Sequence, residues 1–97
     1  MYARVVAIKM QPGKKDELVS LHRDSFVPDA RQQEGFKGAY LLTDSYTNRA
    51  IAISFWETEA DMKAHESAGF YHKLLMKVAN VFAEPASLEH YEVDVHE

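Results

Sequence analysis

Five histidines are the groups in this 97-residue chain best suited to moving protons, because an imidazole ordinarily titrates near neutral pH. His22 shares a predicted helix face with Leu18 and Ser25. A polar residue on such an inward stripe is either a satisfied core group or the lining of a cavity. His65 lies near the end of another predicted helix, as a base for a phenolic proton or as a structural group bonded to a carbonyl or carboxylate. His72 follows Phe70 and Tyr71 beyond a break at Gly69, and is a third pocket candidate. Trp56, Tyr40 and Phe55 are the aromatic residues expected to wall a pocket for a small aromatic or hydrophobic ligand, with sheet-end packing the alternative for Trp56. Arg4 shares a strand face with Val6 and Ile8; it suits a phenolate or enolate, although an interface salt bridge is the commoner use of such a residue.

Other chemistries find no footing. The chain has no cysteine, so disulfides, thiolate metal sites and cysteine nucleophiles are excluded. No His-x-x-x-His or His-Glu-x-x-His spacing supports a metal site. The Gly-x-Ser-x-Gly, Walker and Gly-x-Gly-x-x-Gly patterns are missing, and only four glycines are present, so no nucleotide or flavin cofactor is expected.

These candidates must be positioned by a short series of elements. Ala3 to Met10 is rich in β-branched and apolar residues at strand length, with Arg4, Val6, Ile8 and Met10 on one face. Pro12-Gly13 marks a turn. Lys14 to Gln33 has helical spacing, with Pro28 expected to kink or interrupt it. Phe36 to Thr43 and Arg49 to Trp56 read as a hairpin joined by the polar loop Asp44 to Asn48. Thr58 and Asp61 resemble a capping box opening a helix from Glu59 to Glu66. After Ser67-Ala68-Gly69 a second stretch runs from Phe70 to Ala83, with Phe70, Leu74, Val78, Val81 and Phe82 on its stripe. Leu88 to Val95 completes the series as a strand. The order is β-α-β-β-α-β, an α+β, ferredoxin-like arrangement with an antiparallel sheet.

Length and composition agree with one domain spanning residues 1–97. Hydrophobic residues make up 46% and charged residues 27%, as in soluble globular proteins. Eleven basic residues against fifteen acidic ones give −4, a poor match for nucleic acid. No apolar run approaches the ~20 residues of a membrane span. A signal peptide is not expected either, and a cytoplasmic location is. The strand Ala50 to Trp56 carries no charge on either face, which predicts burial on both sides. Two helical segments cover one sheet face, so the second cover is read as another copy of the chain, a homodimer.

The run Phe55-Trp56-Glu57-Thr58-Glu59-Ala60-Asp61-Met62-Lys63-Ala64-His65-Glu66 resembles the signature of the antibiotic biosynthesis monooxygenase family. It has a Trp ending the third strand, an acidic capped helix start and an Ala-His pair further along. Gln33-Glu34-Gly35-Phe36 is similar to the family's Gly-Phe step before the second strand. The resemblance implies a dimeric α+β barrel. It also implies one of the family's scattered activities: cofactor-free oxygenation of quinols or polycyclic phenols, haem breakdown, or isomerisation of a small sugar-derived signal. The haem-degrading branch uses an Asn on the first strand, which is absent here. The branch acting on polycyclic phenols has an Asn four residues before its third-strand Trp, where this chain has Ala52. His65 matches the family's helical His. The resulting expectation is a cofactor-independent monooxygenase acting on a small quinol or phenol, with His65 or His22 as base. The alternatives are a non-catalytic dimeric ligand-binding protein and a small-molecule isomerase.

Overall fold

A computed structural model describes all of residues 1–97. Its elements run β1 (Tyr2–Lys9), α1 (Lys15–Leu21), a π-helical turn (His22–Phe26), α2 (Val27–Arg31), β2 (Phe36–Asp44), β3 (Arg49–Trp56), α3 (Glu59–Ser67), α4 (Gly69–Lys77), a 3-10 turn (Ala79–Val81) and β4 (Ser87–Glu92). The four strands form one sheet in the order β2-β3-β1-β4, and every neighbouring pair is antiparallel. This is the ferredoxin-like α+β arrangement that the order of elements predicts.

Strand alternation sorts the sheet into two surfaces. Arg4 and Ile8 from β1, Met10 just beyond it, and Ala50, Ser54 and Trp56 from β3 are buried, on the face covered by the helices. Val5 opposite Ile53, Ala7 opposite Ile51 and Tyr40 opposite Ile53 lie on the other face. There Tyr40 is 62% and Leu42 50% exposed, and the Tyr40 ring meets Phe55 edge-on at 6.2 Å. One copy of the chain therefore leaves an apolar sheet face uncovered.

The first helical stretch is interrupted as an α-helix just ahead of Pro28, as expected, but a π-helical turn carries it through and it does not end there. Pro28 sits in the first turn of α2, and the turn before it widens so that the Val27 N–H donates to the His22 carbonyl. Proline lacks an N–H and crowds the carbonyl four residues back; a π turn placed just ahead accommodates both defects without ending the helix. The second helical stretch also ends sooner than Ala83. The backbone beyond α4 instead bonds across to the end of β1, from Gln11 N–H to the Val81 carbonyl at 2.7 Å and from Ala83 N–H to the Lys9 carbonyl at 2.7 Å. Tyr71, Leu74, Val78 and Val81 form the buried stripe, and Phe70 is 40% exposed. Leu74, Val78 and Val81 thus face inward as expected, and Tyr71 takes the place expected for Phe70.

The helix-covered side holds two apolar clusters. One contains Phe26, Ala30, Trp56, Met62, Tyr71 and Leu74. The other contains Ile8, Met10, Leu18, Ala50 and Val81.

Candidate functional site

The cleft between sheet and helices draws its walls from both clusters. It has a volume of about 70 Å³, and Arg4, His22, Phe26, Ser54, Tyr71 and Leu74 are among its lining. The π turn places His22 on this wall. Its ring stacks on Phe26 with centroids 5.0 Å apart and planes 28° from parallel. Nε2 of His22 is sealed from solvent and has no hydrogen-bond partner. Burial pushes its pKa below the ordinary imidazole range, since desolvation penalises the charged ring.

Behind the cleft lies a buried polar network. Arg4 Nη2 and His65 Nδ1 are 3.1 Å apart. A guanidinium can only donate, so Nδ1 accepts and the ring hydrogen resides on Nε2. That hydrogen is directed at Asp29 Oδ2, 3.2 Å away. Both ring nitrogens of His65 are therefore engaged, and the ring is 1% exposed. Burial foremost, and then the Arg4 charge, lower its pKa, against the opposing pull of Asp29 and Glu66. Arg4 also approaches Glu66, with Nη1 3.4 Å from Oε1, and Glu66 bonds His90 of β4.

The aromatic rings around this network enclose the Arg4 cation. Its guanidinium carbon is 4.3 Å from the Tyr71 centroid, 5.5 Å from Trp56 and 5.9 Å from Phe26. Trp56 is fully buried, donates its indole N–H to Ser54 Oγ at 3.0 Å and packs on His65 with centroids 4.8 Å apart. It supports the network from behind and is not among the cleft lining. Thr58 caps α3 through the Asp61 N–H at 3.1 Å, which anchors the helix bearing His65.

Of the residues expected to form a site, the structure brings His22 to the cleft and sets His65 and Trp56 behind its wall. Tyr40 and Phe55 lie on the opposite sheet face, because Phe55 and Trp56 are strand neighbours and must point to opposite sides. His72 is exposed on α4 and lies outside the cleft lining. Arg4, read from sequence as an interface residue first, pairs within its own chain. Tyr71, Asp29 and Glu66 join the site without being among the residues the sequence marks as candidates. The spacing of Tyr71 with Leu74 and Val78 carried the signal for Tyr71, whereas nothing local marks the two carboxylates. No group of three or more His, Asp or Glu residues is arranged to hold a metal.

The antibiotic biosynthesis monooxygenase family model matches residues 1–75. The chain belongs to that family. An uncharacterized Mycobacterium tuberculosis protein, Rv2558, is 32% identical over 93 residues, covering 96% of this chain. The chain spans only 39% of that relative's length. Among solved structures, a monooxygenase from the gene ActVA-Orf6 of Streptomyces coelicolor, in complex with nanaomycin D, superposes with a TM-score of 0.85. The identity is 16%, and the match covers 99% of this chain and 89% of that one. NE2512 of Nitrosomonas europaea, a protein of unknown function, gives 0.81 at 20% identity, covering 99% and 91%. At these identities the structural likeness concerns the fold, and sharing a fold does not transfer a reaction. No helix is long and apolar enough to cross a membrane.

Proposed function

We propose that this family member is a cofactor-independent monooxygenase that oxidises a small phenol or quinol in the cleft, with His22 as general base. The observation that carries this reading is the buried, unpartnered Nε2 of His22 on a predominantly apolar wall. A neutral imidazole with its hydrogen on Nδ1 presents the Nε2 lone pair to the cleft. A phenol O–H directed at that lone pair loses its proton and becomes an electron-rich phenolate. The phenolate passes one electron to oxygen, giving a phenoxyl radical and superoxide. These combine in a C–O bond at a ring carbon bearing hydrogen, and loss of water leaves a quinone. Phenol plus oxygen becomes quinone plus water, with the substrate supplying every electron. The chain's part is to place the base, exclude water and support the anion.

The cleft volume of about 70 Å³ is well below the roughly 300 Å³ at which drug-sized pockets begin. The substrate is accordingly read as a single ring, smaller than a fused polycycle. His65 has no free lone pair for a substrate proton and serves to hold Arg4. The assembly is read as a homodimer through the open sheet face, where Tyr40, Leu42 and Ile51 are exposed beside Val5, Ile53 and Phe55. Such a patch is unusual on a monomer's surface.

Oxygen uptake with a panel of monocyclic phenols and quinols, under metal-free conditions, tests the reaction. Uptake in the wild type that collapses in His22→Gln supports it. Absence of uptake across the panel refutes it, and substrate rearrangement without oxygen consumption moves the assignment to an isomerase.

A further inference from the structure

Arg4 has more donors than its own chain satisfies. The residue is 99% buried, its relative exposure being 1%, and Nη2 is taken by His65. Nη1 lies within ion-pair reach of Glu66 at 3.4 Å but outside hydrogen-bond geometry, so it is a buried N–H without an acceptor. The rings of Tyr71, Trp56 and Phe26 shelter the cation and stabilise it through their electron-rich faces, yet offer Nη1 no lone pair. Buried polar atoms in folded proteins nearly always have partners. Two residues of the cleft lining each carry an atom that lacks one, Arg4 Nη1 and His22 Nε2. One is obligately a donor, and the other can accept. Both flank the Phe26 ring, His22 at 5.0 Å and Arg4 at 5.9 Å.

We infer that Arg4 Nη1 is the oxyanion site of this cleft, and that its ligand is a neutral, weakly acidic phenol or enol that ionises in place. The inference rests on the role proposed for His22 and specifies the class of compound that reaches it. The ligand oxygen accepts from Arg4 Nη1 while its proton passes to His22 Nε2, so the O–H bond breaks as an N–H bond forms and no net charge enters. That neutrality separates phenols from carboxylates and phosphates. Arg4 already faces Glu66 directly and Asp29 through His65, so a ligand arriving as an anion would add uncompensated negative charge to a buried site. His65 and Glu66 act as positioning residues, His65 by accepting from Nη2 and Glu66 by its charge 3.4 Å from Nη1, which leaves Nη1 without a hydrogen-bond acceptor.

The test uses 4-nitrophenol, which is colourless as the phenol and yellow as the phenolate, beside nitrobenzene and 4-nitrobenzoate. Just below the free phenol's own pKa, wild-type protein should turn bound nitrophenol yellow. It should bind nitrophenol about ten- to hundredfold more tightly than nitrobenzene, the range for a hydrogen bond to a charged group, and should take 4-nitrobenzoate weakly. Arg4→Met should remove both the colour and the preference. The comparison of three ligands needs only the wild type, so it decides the matter even if that variant fails to fold. Equal affinity for nitrophenol and nitrobenzene overturns the inference, as does a preference for 4-nitrobenzoate or a folded Arg4→Met that keeps the colour. His22→Gln separates the two assignments. If it loses the colour but keeps the preference over nitrobenzene, both Arg4 and the base are supported. If it keeps the colour while Arg4→Met loses it, the oxyanion site stands and the base is elsewhere. Oxygen uptake does not enter the measurement, so failure of the oxygenase reading leaves its outcome intact.

Discussion

Arg4 Nη2 reaches His65 Nδ1 at 3.1 Å, and because a guanidinium can only donate, this contact sets the tautomer of His65 and leaves both its ring nitrogens engaged. A histidine that looks like a base in the sequence is, in the fold, an acceptor for a buried cation and a donor to Asp29. Its loss should be felt in stability before anything else. His65→Ala leaves a cavity among Phe26, Trp56 and Tyr71 and orphans Arg4, so a cost of about 2–4 kcal/mol is expected. His65→Gln can accept from Arg4 and donate to Asp29 and should cost less than half as much. Urea denaturation near pH 8 measures both, and equal losses would show that the two hydrogen bonds contribute nothing.

Acid should destabilise the protein through its buried imidazoles. Folding lowers the pKa of His22, through burial, and of His65, through burial and Arg4. The unfolded chain therefore takes up protons first as pH falls. The stabilisation is complete above the ordinary imidazole value of about 6.5 and is lost as pH drops from there toward the lowered folded values. Melting temperatures recorded between about pH 8 and pH 5 should decline over that window, with a shallower decline in His65→Gln. A flat profile would mean that these rings titrate normally.

Catalysis should follow His22. His22→Gln is expected to lower oxygen uptake by about 10²–10⁴-fold, the usual share of a general base, while shifting unfolding by no more than about 1 kcal/mol. Because the base works in its neutral form and its pKa is lowered, wild-type rates should persist below the ordinary imidazole range and fall only at more acid pH. A pH–rate profile with an inflection above neutrality would point to another group.

The open sheet face should mediate self-association. Ile53→Asp places a charge at the centre of that face, opposite Val5 and Tyr40, where an interface would desolvate it. Sedimentation should show the wild type at twice the chain mass and the variant at one chain mass, with an unchanged circular dichroism spectrum. A wild type already at single-chain mass would reject the dimer.

Gly35 should tolerate no side chain. Its φ is +84°, and a Cβ there would collide with the Asp61 side chain near the start of α3. The Gly35 carbonyl also accepts from the Glu57 N–H at 2.7 Å, joining the approach to β2 to the end of β3. Gly35→Ala should cost about 1–3 kcal/mol from backbone strain alone, read as a lower urea midpoint. An unchanged midpoint would show that the turn can relax.

The sequence by itself determined the order of elements, because strand and helix periods, the Thr58 cap and the polar hairpin loop are local signals carried by neighbouring residues. It also determined that Arg4, Val6, Ile8 and Met10 share a face and that His22 interrupts an apolar stripe. The dimer expectation came from the same source, the absence of charge on both faces of β3. Only the tertiary structure decided which of two adjacent aromatics, Phe55 or Trp56, faces the helices, since alternation makes them opposites without saying which side the helices take. It likewise decided that Pro28 would be carried by a π turn, and that Tyr71 rather than Phe70 would turn inward. The Arg4 network lay furthest from view. Its members come from β1, the π turn, α2, β3, α3 and α4, and a buried cation's partners are chosen by the three-dimensional need to satisfy its donors, which leaves no periodic trace along the chain.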